Sequence, residues 1–386
     1  MSRIYFDHNA STPVRPEALE AMLPYFSERY GNASSAHAFG QDAKGALEEA
    51  RAQVAALVNA SPAEVVFTSG GTESDNMAVL GGARALAAKG RHVVVSEIEH
   101  EAVRNAAGQL EAEGFAVTRV PAGGDGRIDP AAIADALRPD TVLVSVMAAN
   151  NETGVLQPVA EIGALCASRG VAFHTDAVQA AGKIPIDVKA WQAAFLTIAA
   201  HKFYGPKGIG ALVVKRGAKT APLLFGGEHE RGRRPGTENV PAIVGMGVAA
   251  TLAQQELATV PPRIAMLRDR LEREILERVP HVVVHGAGAP RSCNTSHLSF
   301  TGAEGEHLLL TLDTKGIACS SGSACKSGSS HPSHVLLSMG VPAAVAQSAV
   351  RMSLGRGTTE AEVDRVLEVL PPIVAKLRSV SPTLAA

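Results

Sequence analysis

Short β-branched runs alternate with alanine-rich stretches through the first two-thirds of the chain. The runs are Val65 to Phe67, Val93 to Val95, Val117 to Val120, Val142 to Val146, Val171 to Phe173, Phe195 to Ile198 and Ala211 to Val214. Strand-sized apolar runs separated by helix-sized stretches predict an α/β fold, with a mostly parallel seven-stranded sheet covered by helices on both faces. One of those helices is expected over residues 42 to 58. Ala43, Leu47, Ala50, Val54 and Leu57 form a stripe at helical spacing there, with Glu48, Glu49 and Arg51 off it, so the stripe turns to a core.

Past residue 258 the pattern changes. Val260-Pro261-Pro262 precedes a long helix in which Ile264, Leu267, Leu271 and Ile275 recur among charges, and short strands are expected over Val282 to Val284 and Thr295 to Phe300. Thr359 with Glu362 three residues on opens a last helix with a capping box, and Pro371-Pro372 is expected to kink or end it. The 386 residues are thus read as a large domain over 15–258 and a smaller α+β domain built from 1–14 and 259–386.

Composition narrows the function. The 36 basic and 38 acidic side chains leave a formal charge of −2, which offers no polyanion-binding surface, so nucleic acid is excluded as a partner. The four cysteines, Cys166, Cys293, Cys319 and Cys325, form no CxxC pair and are too few for a disulfide framework, which points to a reducing compartment. The opening MSRIYFDHNASTPV is charged where a signal peptide needs an apolar stretch, and no run reaches membrane-span length. A cytoplasmic protein with no membrane partner is expected.

Ligands of an open α/β sheet sit beyond the carboxyl ends of its strands, so the residues just after each run carry the chemistry. After Val65 to Phe67 comes TSGGTESDN, a glycine turn into a helix near Thr72, which suits a lone phosphate and lacks the spacing for a dinucleotide. Later runs lead to His100 in SEIEH, Asn151 in MAANNETG, Asp176 and Gln179 in HTDAVQ, and Lys202 in AAHKFYGPKG. A phosphate pocket, a carboxylate for a ring nitrogen, a stacking ring and one amine in a tight loop are the requirements of pyridoxal 5'-phosphate. Near the end, IACSSGSACKSG sets Cys325 among small residues. Such residues leave a thiol accessible and predict a mobile loop over about 317–332.

The motifs YFDHNASTP, SGGTESDN, EIEHEAV, NNETG, HTDAVQAAGK, AAHKFYGPKGIGALVV, ERGRRPGTENV, SSGSAC and VRMSLGR span nearly the whole chain. Together they resemble the NifS/IscS-type cysteine desulfurases of the class V aminotransferase family, whose architecture is the fold-type I pyridoxal-phosphate transferase. SSGSAC resembles the group with the longer mobile loop rather than the SufS-like group. The resemblance implies that Lys202 is the Schiff-base lysine, that Asp176 partners the pyridine nitrogen, and that His100 stacks on the ring and handles a substrate proton. It implies Gln179 and Asn151 near the cofactor hydroxyl, and Gly71, Thr72, Ala199, Ala200 and His201 around the phosphate. Thr237 would complete the phosphate site from the other subunit of a homodimer, and Arg351, with Asn151, would bind the substrate carboxylate. One departure stands out: the family's phosphate-binding serine is Ala199 here, a loss of about 1 kcal/mol of binding. Thr197, on the same face of a strand, is the expected substitute.

The resemblance also sets the expected reaction. L-Cysteine would give L-alanine while the Cys325 thiolate, favoured by Lys326 and His331, takes the sulfur as a persulfide. The persulfide would pass to a sulfur acceptor or iron–sulfur scaffold protein, which a mobile segment allows. Cys166 and Cys293 are read as packed thiols, Cys319 as a buried neighbour or, alternatively, a second thiol that captures the persulfide, and His331 and His334 as surface loop positions, with no intrinsic metal. A transient iron–sulfur ligand role for Cys325 is implied by the resemblance only. The alternatives are a selenocysteine lyase or another class V enzyme, which SSGSAC argues against, and a non-catalytic phosphate-binding regulator.

Overall fold

The computed structural model describes residues 3–322 and 332–380. Cys325, Lys326 and His331 lie outside the described residues. After a two-residue strand β1 (Ile4–Tyr5), seven strands build the large sheet: β2 (Val65–Thr68), β3 (His92–Ser96), β4 (Ala116–Val120), β5 (Thr141–Ser145), β6 (Ala172–Asp176), β7 (Phe195–Ala199) and β8 (Gly210–Val214). Their order is β2-β8-β7-β6-β5-β3-β4, and only β8 runs against its neighbours. The mostly parallel seven-stranded sheet is therefore present, its strands buried apart from the edge strand β4, as expected of a sheet covered on both faces.

Helices cover both faces. On one, Leu47, Ala50 and Val54 from the helix Ala38–Leu57 join Ile243, Met246 and Phe203. On the other, Val79, Val103 and Leu110 pack on Val93 and Leu212. The stripe over 42 to 58 faces the core, but Arg51 does not lie off it. Its side chain is buried with that of Glu230, whose carboxylate it grips at 2.7 and 2.8 Å. A sequence stripe counts charged residues as exposed, whereas a guanidinium can be buried when a paired carboxylate satisfies its fork.

The remaining strands are β9 (Val282–Val284), β10 (Thr295–Phe300), β11 (Ile317–Ala318) and β12 (Ala349–Ser353). An antiparallel sheet β12-β10-β9 and the parallel pair β1-β11 share a second core with Phe6, Leu271, Phe300, Met352 and Leu370. The helix Val260–Arg278 takes Pro261 and Pro262 into its first turn, where a missing N–H costs nothing. Thr359 and Glu362 form the expected capping box, at 2.8 and 3.3 Å. The last helix, however, runs on through Pro371 and Pro372 to Val380. Leu367, Leu370, Ile373 and Val374 are buried on both sides of the prolines, and that burial outweighs the lost backbone bonds. Among the described residues no helix is long and apolar enough to cross a membrane.

Candidate active site

A cavity of about 400 Å³ opens where the parallel strands end, within the range of about 300–1,000 Å³ usual for small-molecule sites. The chain leaves β3 outward to β4 and returns through β5 on the other side of β3, and that reversal opens the crevice. Each strand end supplies a wall. Gly71 and Thr72 follow β2, His100 follows β3, Asn151 follows β5, Asp176 and Gln179 end β6, and Ala199, His201 and Lys202 end β7. Arg351 reaches in from β12. The strand-end residues picked from sequence are thus brought together.

The phosphate-sized end is a close approach of backbones. Gly70 has φ of 157°, and a Cβ on Gly210 at the start of β8 would stand 2.7 Å from the carbonyl carbon of Gly70, so both positions need glycine. The helix Gly71–Asn76 then starts at the cavity wall. His201 is pushed down to about 4 by burial and the positive charge of Lys202, so at neutral pH it is a neutral ring, its Nδ1 3.3 Å from Ser11 Oγ. Thr197 does not replace the missing serine hydroxyl. It is fully buried, with Oγ1 3.2 Å from His174 Nε2, and it faces the layer under the site. Ala200 also stands behind the wall, its N–H donated to the Ile209 carbonyl at 3.2 Å. Thr237 is exposed and does not line its own chain's cavity.

The amine of Lys202 donates to the carbonyls of Asn9 and Ala10 at 2.5 and 2.8 Å. Tyr204, two residues on, sits at φ of 69°, a strained value held by its N–H donating to Thr12 Oγ1 at 2.8 Å. The segment HNAST therefore aims the lysine, a role invisible in strand patterning. His100 caps the helix Glu101–Ala112, its Nδ1 accepting from the Ala102 N–H at 3.2 Å. The neutral ring must then carry its proton on Nε2.

Acids crowd the base of the site. Asp176 accepts the Val178 N–H at 2.8 Å; burial raises it, while His100 and Lys202 pull it back. Asp75 is raised well above its ordinary value by burial and by Asp176, and Glu99 is pushed up to about 8, chiefly by burial. Among the described residues, Asp75 Oδ1 and Glu99 Oε2 are buried without a hydrogen-bond partner. A buried carboxylate in this setting calls for a cation above it, and the protonated ring nitrogen of pyridoxal phosphate is one. The Lys202 amine opposite suits the cofactor's aldehyde. These residues fit that group. Asp75 and Glu99 carry no signal in the sequence, because nothing local distinguishes a buried carboxyl from a cap.

The sequence places His334 on the surface, and the structure corrects this. His334 opens the short helix His334–Ser338 and lines the cavity, its Nε2 3.0 Å from the Glu99 carbonyl oxygen. Val335 and Leu336 are buried beside it, and Ser333 donates to Glu152 Oε2 at 2.5 Å, so packing turns this turn inward. Arg351 is 2% exposed. It donates to Asp7 Oδ1 at 2.8 Å, to the Asn151 carbonyl at 2.9 Å and to the Gly322 carbonyl at 3.3 Å, while its Nε is buried without a partner among the described residues.

Known proteins match this chain over nearly its whole length. A cysteine desulfurase of Trichormus azollae is 49% identical over 382 residues, covering 99% of this chain and 95% of that protein. The cysteine desulfurase IscS of Methanosarcina thermophila is 48% identical over 379 residues, covering 98% and 94%. The solved structure of a NifS-like protein superimposes with a TM-score of 0.91 at 36% identity, covering 97% of this chain and all of the other. Residues 4–366 match the profile of the aminotransferase class-V family, and to that family this chain belongs.

Proposed function

We propose that this chain is a pyridoxal-phosphate-dependent cysteine desulfurase, converting L-cysteine to L-alanine and taking the sulfur onto Cys325 as a persulfide for iron–sulfur cluster assembly or another acceptor. The observation that carries it is one cavity holding Lys202, Asp176 and Arg351, with Arg351 bonded to Gly322, three residues before Cys325. Relatives named cysteine desulfurase cover nearly the whole chain.

Bound here, pyridoxal phosphate supplies an aldehyde for amines and a ring that accepts electrons from the substrate's α-carbon. Lys202 would hold it covalently, Asp176 would keep its ring nitrogen protonated, and Gly71, Thr72 and His201 would meet its phosphate. Gln179 and Asn151 would lie at its ring hydroxyl, with His100 against the ring to handle a substrate proton. Arg351 would take the substrate carboxylate on its planar fork. Lys202 would be the base for the α-proton. The Cys325 thiolate would take the sulfur as the substrate's Cβ–S bond breaks, and protons would complete alanine on the carbon left behind, so that one cysteine and one thiol give one alanine and one persulfide.

The other thiols are poor candidates for that attack. Burial pushes Cys166 and Cys319 up to about 12 and raises Cys293 as well, and the nucleophile must be a thiolate. A homodimer is supported by the exposed Leu19, Leu23, Phe26, Tyr30 and Phe39, with Leu224 and Phe225 on the segment leading to Thr237. In it Thr237 would serve the partner's phosphate site. A core drawn entirely from 1–14 and 259–386 supports a division into a domain over 15–258 and one over 1–14 and 259–386, with Val335, Leu336, Met339, Ala346 and Ala349 of the second packing into the core of the first.

The test uses purified holoenzyme. Borohydride should fix the cofactor on Lys202. Cys325→Ala should retain the visible absorption and lose sulfide release in the presence of a thiol reductant. Normal sulfide release without that thiol, or a cofactor fixed elsewhere, would overturn the reading.

A further inference from the structure

We propose that Lys183 is a positioning residue that fixes which end of the Gln179 carboxamide faces the cofactor cavity, and so sets the pH at which the bound cofactor changes its absorption. The inference rests on pyridoxal phosphate as the cofactor held by Lys202.

Lys183 closes the motif HTDAVQAAGK, four residues after Gln179. It does not line the main cavity. It lines an adjoining pocket of about 40 Å³ together with Lys202, His8, Tyr204 and Cys293, so it stands behind Gln179. The turn that places it there depends on Gly182, whose φ is 71° and whose added Cβ would stand 3.0 Å from Phe203 Cβ. From that position the amine donates to Gln179 Oε1 at 2.7 Å and lies 3.4 Å from Asn9 Oδ1.

The orientation of the carboxamide is set from two sides. Gln179 Nε2 donates to the Asn9 carbonyl at 2.9 Å. A carbonyl only accepts, so the atom against it is the NH₂, and the oxygen is left for Lys183. Asn9 is itself pinned. Its Oδ1 accepts from Asn294 at 2.9 Å, and its Nδ2 donates to Thr295 Oγ1 at 2.8 Å. With its oxygen committed behind the wall, Gln179 offers the cavity its second N–H. A ring hydroxyl beside that N–H is favoured in its ionised form, which lowers the proton affinity of the lysine–cofactor linkage next to it.

The titratable groups whose fields reach Lys183 agree with this arrangement. Burial, with Lys202 and Arg351 against it and Cys293 in its favour, pushes the amine down to about 7. Its own charge in turn lowers His8 and His201. Lys183 therefore has two ways to act on the cofactor, through Gln179 or through charge alone, and the geometry assigns the first.

A double-mutant cycle separates them. Lys183→Met, Gln179→Leu and the double variant are titrated as holoenzymes by visible absorption against pH, after borohydride has confirmed cofactor on Lys202 in each. Lys183→Met and Gln179→Leu should each raise the midpoint by about one unit, the worth of one hydrogen bond, and the double variant should rise no further. Lys183→Gln, which can still donate to Gln179 Oε1, should restore the wild-type midpoint, and it carries the test should Lys183→Met fold poorly. An unchanged midpoint in Lys183→Met, shifts that add in the double variant, or a Lys183→Gln as shifted as Lys183→Met would overturn the inference. Wild-type protein taking no cofactor on Lys202 would instead overturn the cofactor reading itself.

Discussion

Replacing Glu230 by Gln should destabilise the protein more than any exposed charge substitution. Glu230 and Arg231 sit at φ of 49° and 59°, conformations that cost a side-chain-bearing residue about 1–2 kcal/mol each. What holds them is the buried Glu230 carboxylate, gripped by both terminal nitrogens of Arg51 and accepting the Phe67 N–H of β2 at 2.9 Å. Gln keeps the volume and the acceptor for Phe67. It removes the charge and turns an NH₂ toward a guanidinium. Leaving a buried charge without its partner costs about 3–5 kcal/mol. Glu48, 3.1 Å from Arg51 Nε but 45% exposed, returns less than about 1 kcal/mol. The expected loss is therefore about 3 kcal/mol. Urea unfolding of the holoenzyme followed by fluorescence reads it, alongside Arg51→Met and the double variant. The double variant should be more stable than Glu230→Gln alone, since it no longer buries a bare cation. A Glu230→Gln protein within about 0.5 kcal/mol of wild type, the range of ordinary surface changes, would refute the reasoning. So would a double variant whose losses simply add.

Two other substitutions probe the site's edges. An alanine Cβ at Gly322 would stand 2.2 Å from Glu152 Oε2 and 2.9 Å from His297 Cε1, so Gly322→Ala should move this segment off Arg351. Sulfide release should fall about tenfold, about 1.4 kcal/mol in barrier, with the cofactor absorption unchanged in the same sample. Glu99 binds its proton more tightly folded, at about 8, than the ordinary 4.5. Its contribution to stability is thus fully present below about 4.5 and lost as pH rises through about 8. Glu99→Gln, which cannot ionise, should match wild type in urea midpoint near about pH 5 and exceed it near about pH 8.5.

The sheet is legible in the sequence because every strand but the edge strand β4 is a largely buried run built around apolar residues, and buried strands look alike wherever they occur. The site residues at strand ends are legible for a different reason: a ligand must meet polar groups where backbone pairing stops. Asn9 and Lys183 are not, because their roles depend on partners distant in the chain, such as Asn294 for Asn9. His334 and Arg51 mislead in the same way. Each is a polar residue whose burial is decided by a single partner, the Glu99 carbonyl in one case and Glu230 in the other, and no periodicity encodes that. Pro371 and Pro372 show the same limit from the side of packing, where apolar residues flanking a helix breaker overrule it.

Asn9 also ties the timing of the site to the order of synthesis. Its N–H donates to Ser353 Oγ at 2.9 Å, and Asn294 holds its side chain, while its carbonyl receives Lys202. A segment made before the large sheet thus waits for two made after it before it can aim the lysine. A nascent chain that has finished that sheet still lacks the frame around the amine, and the reactive nitrogen gains its geometry only once Asn294 and Ser353 have followed.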